Sequence, residues 1–183
     1  KSYRSNYEIM RFAKKIHHVS ALETVKGHGE PPELITCLDA ADEIRKIREA
    51  IRCFRTGKNV SLGIILKTDA AAKDMYEVLA GYDGVEENQV EENQVEGNGE
   101  EACDISLLTR ESTSFQNGIS ITSVRMSKGL EFDEVLIPQA DCRTYTSDFD
   151  RGLLYIACTR AMHRLTLTYS GKETEFISGQ PPF

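Results

Sequence analysis

The run Val60-Ser61-Leu62-Gly63-Ile64-Ile65-Leu66 constrains the fold more than any other stretch of the chain. A strand with one wet face alternates apolar and polar residues, whereas a near-continuous apolar run suits a strand covered on both faces, as in a parallel sheet sandwiched by helices. The flanks agree. Gly57-Lys58-Asn59 is a helix stop just before the run, and Thr68 or Asp69 can cap a helix that continues to about Ala80.

The same alternation recurs along the chain. Ile9, Phe12, Ala13, Ile16 and Val19 fall near a 3.6-residue period, so a helix is predicted over this stretch, capped by Ser5 or Asn6. Pro31 and Pro32 interrupt the chain before a short apolar strand from Glu33 to Leu38, and Asp39 can cap a helix carrying Ile44, Ile47, Ile51 and Phe54. Further strands are predicted at Asp104 to Leu108, Ile119 to Val124, Glu134 to Ile137 and Arg164 to Tyr169. A helix from roughly Arg151 to Ala161, opened by Asp148 or Asp150, separates the last two. Strands interleaved with helices imply a single α/β domain of three layers, with a mostly parallel central sheet and functional groups gathered at one sheet edge.

Composition excludes several function classes. The longest apolar runs are strand-sized, so no membrane span is expected, and the start Lys1-Ser2-Tyr3-Arg4 lacks a signal-peptide apolar region. A soluble cytoplasmic protein follows as the expectation. The five cysteines, Cys37, Cys53, Cys103, Cys142 and Cys158, are scattered without a Cys-x-x-Cys pair, and His17, His18, His28 and His163 stand at no zinc-ligand spacing. No metal site is predicted. The net charge of −7 is local: eleven acidic residues and no Lys or Arg lie between Asp74 and Thr109, leaving the remainder of the chain net basic. A nucleic-acid-facing surface outside that interval therefore stays open.

Within the acidic interval, Val85-Glu86-Glu87-Asn88-Gln89, Val90-Glu91-Glu92-Asn93-Gln94 and Val95-Glu96-Gly97-Asn98-Gly99 form a tandem five-residue repeat. Like-charged, low-complexity sequence of this kind reads as an inserted solvated loop over residues 84–101, with a partner-binding arm as the other reading.

Three stretches carry the chemistry: Tyr3-Arg4-Ser5; Thr122-Ser123-Val124-Arg125-Met126-Ser127-Lys128-Gly129-Leu130-Glu131-Phe132-Asp133; and Leu153-Leu154-Tyr155-Ile156-Ala157-Cys158-Thr159-Arg160-Ala161. Together and in this order they resemble motifs IV, V and VI of superfamily 1 helicases of the UvrD, Rep and PcrA type, with the helicase IV and HelD-like members most similar. The resemblance implies a RecA-like, P-loop NTPase-like fold and the C-terminal (2A) motor domain of an ATP-dependent 3′ to 5′ DNA helicase or translocase. ATP with Mg²⁺ would be the cofactor, and single-stranded DNA and an N-terminal RecA-like domain of the same protein the partners, in a nucleoid-associated setting. No Gly-x-x-x-x-Gly-Lys-Thr phosphate loop occurs in the 183 residues. That loop and the Mg²⁺ ligands are expected upstream, so the domain by itself is expected not to turn over ATP. The acidic repeat occupies the place of the family's 2B insertion, which is expected to be absent or a stub.

Site roles follow residue by residue from the resemblance. Arg160 is the arginine finger, a guanidinium able to neutralise two γ-phosphate oxygens at once. Its bland counterpart is a helix-terminal Arg that bonds the last carbonyls. Arg4 is the second γ-phosphate ligand, and Tyr3 the face on which adenine stacks. Lys128 lies near the phosphates, Gly129 permits a positive φ or close backbone approach, and Glu131 accepts from the ribose. Thr122, Ser123 and Arg125 are the residues expected to reach DNA phosphates, although many members have His at the position of Arg125. Gly152 also departs from the family pattern and weakens its helix by about 1 kcal/mol relative to Ala. Phe132, Val135 and Leu136 are expected in the core. No aromatic stacking platform for single-stranded DNA stands out. Two other functions remain open: a HelD-like ATPase that remodels RNA polymerase, and a non-catalytic nucleotide or protein interaction domain.

Overall fold

A computed structural model describes residues 5–17, 27–80, 105–109 and 117–178. The acidic repeat, Tyr3, Arg4 and Cys103 lie outside the described residues. The elements are α1 (Tyr7–Ile16), β1 (Glu33–Cys37), α2 (Ala40–Thr56), β2 (Ser61–Leu66), α3 (Asp69–Leu79), β3 (Ile105–Leu107), β4 (Gly118–Ser123), β5 (Phe132–Ile137), α4 (Asp148–Cys158) and β6 (Ala161–Ser170). The six strands form one sheet in the order β1-β6-β5-β2-β4-β3, and every ladder is parallel.

β2 stands inside this sheet, paired on both edges, and all six of its residues are buried. Its side chains divide by parity. Leu62, Ile64 and Leu66 join Ile47, Ile51 and Phe54 of α2 and Ala72, Met75 and Leu79 of α3 in one core. Ile65 joins Ile9, Phe12 and Ile16 of α1 and Leu154, Ala157 and Cys158 of α4 in the other. Gly63 has a packing reason on that second face. A Cβ there would stand 2.7 to 2.9 Å from the Phe132 ring, so only glycine lets the ring lie against the strand.

Local chemistry sets the helix starts. Asn6 caps α1 through Ile9 N–H, Asp39 caps α2 through Asp42 N–H, and Thr68 caps α3 through Ala71 N–H. Ser5 is not a cap; its hydroxyl donates to the Ala161 carbonyl at 2.5 Å, and Asn6 Nδ2 donates to the His163 carbonyl at 2.9 Å. The start of α1 is thus sewn to the amino end of β6.

α4 begins three residues earlier than the Arg151 expected, at Asp148. Ser147 and Asp150 form a reciprocal capping box, a two-way bond pattern that neither Asp148 nor Asp150 alone would supply. Between β4 and β5 no helix forms. Residues 124–130 cross as successive turns, closed by Ser127 N–H to the Ser123 carbonyl and Leu130 N–H to that of Ser127. Cys37 and Cys158 are buried and Cys53 and Cys142 exposed, all four as free thiols. None of the helices among the described residues is long and apolar enough to cross a membrane.

Candidate functional site

The β5-to-β6 crossover makes α4 run antiparallel to the strands, from the carboxyl ends of β2 and β4 to the amino ends of β5 and β6. Its 11 residues span about 16 Å. One side, with Leu154, Ala157 and Cys158, enters the core. A second stripe, Phe149, Leu153 and Ile156, follows the i, i+4, i+7 spacing of a single helix face, and Arg160, in the turn just past the helix end, continues it. That stripe walls a cleft of 660 Å³ whose other residues are Lys67, Thr68, Asp69, Val124, Arg125 and Lys128. The cleft therefore runs down the helix rather than gathering at one sheet edge, which corrects the sequence-based expectation. A crossover of turns in place of a helix between β4 and β5 leaves this channel open.

Arg160 stands at the lower end. Its Nε donates to the Ile156 carbonyl at 3.2 Å, Nη1 to the Leu130 carbonyl at 3.3 Å, and Nη2 to Thr159 Oγ1 at 3.3 Å. The helix-terminal carbonyl bond expected of an ordinary Arg is present. The Leu130 bond adds something else, because it ties the guanidinium to the turn that carries Lys128, Gly129 and Glu131. The Arg160 carbonyl in turn accepts from Phe132 N–H at 3.0 Å. Two strings thirty residues apart in sequence are thus fastened on both sides of Arg160.

Gly129 takes φ +86°, with nothing within 4 Å of the place its Cβ would occupy, so the turn needs glycine for its backbone angle and not for space. Lys128 is exposed and lines the cleft, while Glu131 is half-buried and outside its lining. Of the three residues expected at DNA phosphates, Thr122 is fully buried and Ser123 is 1% exposed. The Ser123 hydroxyl donates to Asp69 Oδ1. Arg125 alone is exposed, and it pairs with Asp69 Oδ2 at 2.5 Å. Polar residue type suggested surface for Thr122 and Ser123, but β4 lies inside the sheet, so their side chains face packed layers. Phe132, Val135 and Leu136 are buried as expected.

At the upper end Lys67 holds the start of α4. Its ammonium lies 2.7 Å from Asp150 Oδ1 and donates to the Thr144 carbonyl at 2.6 Å. Burial by itself would raise the Asp150 carboxyl, but the Lys67 bond and the Thr146 and Ser147 amides hold it well below the ordinary carboxylate range. No sequence pattern marked Lys67 as a site residue, nor Phe149, which is 75% exposed.

These features define a three-layer α/β domain with an all-parallel sheet and a cationic cleft along one crossover helix. Residues 118–168 match the model of the UvrD-like helicase C-terminal domain. The fold as a whole is similar to that of the C-terminal domain of a possible DNA helicase from Lactobacillus plantarum, with a TM-score of 0.74 and 22% identity, covering 97% of this chain and 93% of the other. No curated protein matches the sequence.

Proposed function

We propose that the chain is the second RecA-like motor domain of a UvrD-like superfamily 1 DNA helicase or translocase, completing an ATP site with a first RecA-like domain. The observation that carries this reading is the bond from Arg160 to the Leu130 carbonyl, which fastens the two most specific strings together inside the matched residues 118–168. In this reading Arg160 faces the γ-phosphate, Lys128 the phosphates and Glu131 the ribose. Ser5, which follows Tyr3 and Arg4 in the chain, is bonded to the carbonyl beside Arg160. That bond supports assigning Tyr3 and Arg4 to the same site, as adenine platform and second γ-phosphate ligand.

The donor set suits an anionic ligand, since Arg125, Lys128 and Arg160 line the cleft with Asp69 as the one lining carboxylate, while Lys67 is held by Asp150. Among the described residues no cluster of His, Cys, Asp or Glu is placed to hold a metal ion. The resemblance to superfamily 1 helicases assigns the Mg²⁺ ligands to the first domain. Arg125, rather than Thr122 or Ser123, takes the DNA phosphate.

The test joins this chain to a first RecA-like domain and follows ATP hydrolysis with and without single-stranded DNA. Turnover stimulated by DNA is expected, with loss of that stimulation on Arg160→Ala. A protein that hydrolyses ATP without DNA stimulation, but captures RNA polymerase, would belong instead to the HelD-like reading.

A further inference from the structure

We infer that Phe149 is a stacking platform for a base of the single-stranded nucleic acid that crosses the upper end of the cleft. This rests on the reading above and adds to it the element that sequence alone did not reveal. Phe149 is the second residue of α4, in a turn fixed by the Ser147–Asp150 capping box and by the Lys67–Asp150 ion pair. The platform is therefore mounted on a rigid part of the helix, so little ordering cost remains when a ligand arrives. Phe149 is 75% exposed, although Leu154 and Ala157 of the same helix are completely buried.

The surroundings favour a nucleobase over a protein surface. Arg125 is exposed and lines the same cleft as the ring, with Leu153 and Val124 as apolar wall. A single-strand track combines a cationic side chain for the backbone with an aromatic face for the base. Every base presents a π-face, so such a platform is tolerant of sequence, as a translocating motor requires. Arg125 is held by Asp69 through a single Nη2–Oδ2 contact, which a phosphate can replace by offering the guanidinium two oxygens.

The experiment measures binding of the full-length protein to two fluorescent oligonucleotides of equal phosphate number, one of deoxythymidine and one with abasic sites throughout. Phe149→Leu, which keeps an apolar side chain but removes the π-face, should weaken deoxythymidine binding by about 5- to 150-fold and leave abasic binding unchanged. Phe149→Trp should restore it, and the salt slope should be the same in all three proteins, because no phosphate contact changes. Equal loss on both oligonucleotides, or no loss on either, overturns the platform. Loss of DNA-stimulated ATPase in Phe149→Leu with unchanged deoxythymidine affinity also overturns it, and assigns the ring to contact with the neighbouring domain. Failure of the unaltered protein to bind either oligonucleotide would remove the motor reading itself, an outcome distinct from the other two.

Discussion

The two helical layers of this domain cover the same sheet and are built differently. On one face α2 presents a single apolar side, Ile47, Ile51 and Phe54, and carries on the remainder a charged ladder in which Arg45 meets Asp42 and Glu49. On the other face α4 is apolar on two sides, one for the core and one for a cleft. A helix needs only one such side to be held in place. The second side of α4 therefore goes beyond what the fold requires, and it is the side that ends in Arg160. In short, α2 is a layer, and α4 is a layer that also forms a wall.

The sharpest way to break this contrast is to remove Arg160. In the two-domain motor Arg160→Ala should reduce turnover by about 10³ to 10⁵, the scale associated with an arginine finger. Because the side chain also bonds the Ile156 and Leu130 carbonyls, thermal unfolding must be measured alongside. Arg160→Lys keeps a charge and a carbonyl donor but loses the planar fork, so it should recover much of the stability and little of the rate. Turnover near the unaltered level in both variants would leave α4 with no role beyond packing.

Next in size is the clamp at the upper end. Lys67→Met leaves the buried Asp150 carboxylate without its cation, and about 2 to 4 kcal/mol of stability should be lost in urea unfolding, less than a fully buried pair because Lys67 keeps a quarter of its side chain in water. The pH dependence has a definite sign. The folded Asp150 carboxyl is depressed, so its stabilisation is complete above the unfolded value of about 4 and is lost as pH falls below it. Removing Lys67 should flatten that acid limb. An unchanged limb would mean that the three amide and hydroxyl donors, not the lysine, hold the carboxylate.

Much of this was legible in sequence where the physics is local. Asn6, Asp39 and Thr68 cap the helices they precede because a cap needs only the next three residues. The unbroken run around Ile64 announced a doubly covered strand. What escaped was long-range. Nothing in the local pattern distinguishes Phe149 and Ile156, which face a cleft, from Leu154, which faces the core, since all are apolar at helical spacing. Thr122 and Ser123 look like surface and are buried, because strand order and not residue type decides exposure. The Glu43 carboxylate, on α2, is only 5% exposed, which its position on a charged helix does not announce. It accepts from Thr168 Oγ1 at 2.7 Å and from the amide of Gln139, which adopts φ +57° after β5, a pairing across 96 and 125 residues.

Gly63 offers a smaller test, on the packing beneath the cleft. Gly63→Ala drives a methyl group into the Phe132 ring, and about 1 to 3 kcal/mol of destabilisation is expected from overpacking. Adding Phe132→Leu should return part of it, so the double variant should be less destabilised than the two single costs combined. Strict additivity would show that the ring is not what excludes the side chain.

The smallest expected effect lies on the plain layer. Arg45 is exposed over half of its side chain and bonded to Asp42 and to Glu49 one turn on, so Arg45→Ala should cost only about 0.2 to 0.5 kcal/mol per pair, and less at high salt. Its value lies in the nucleic-acid measurement. Arg125→Ala in the cleft should lower affinity for single-stranded DNA and reduce the salt slope by about one unit, whereas Arg45→Ala, across the sheet on α2, should change neither. Equal salt-slope losses from both arginines would mean that the strand contacts both faces of the sheet. The second apolar side of α4 would then no longer mark the face that does the work.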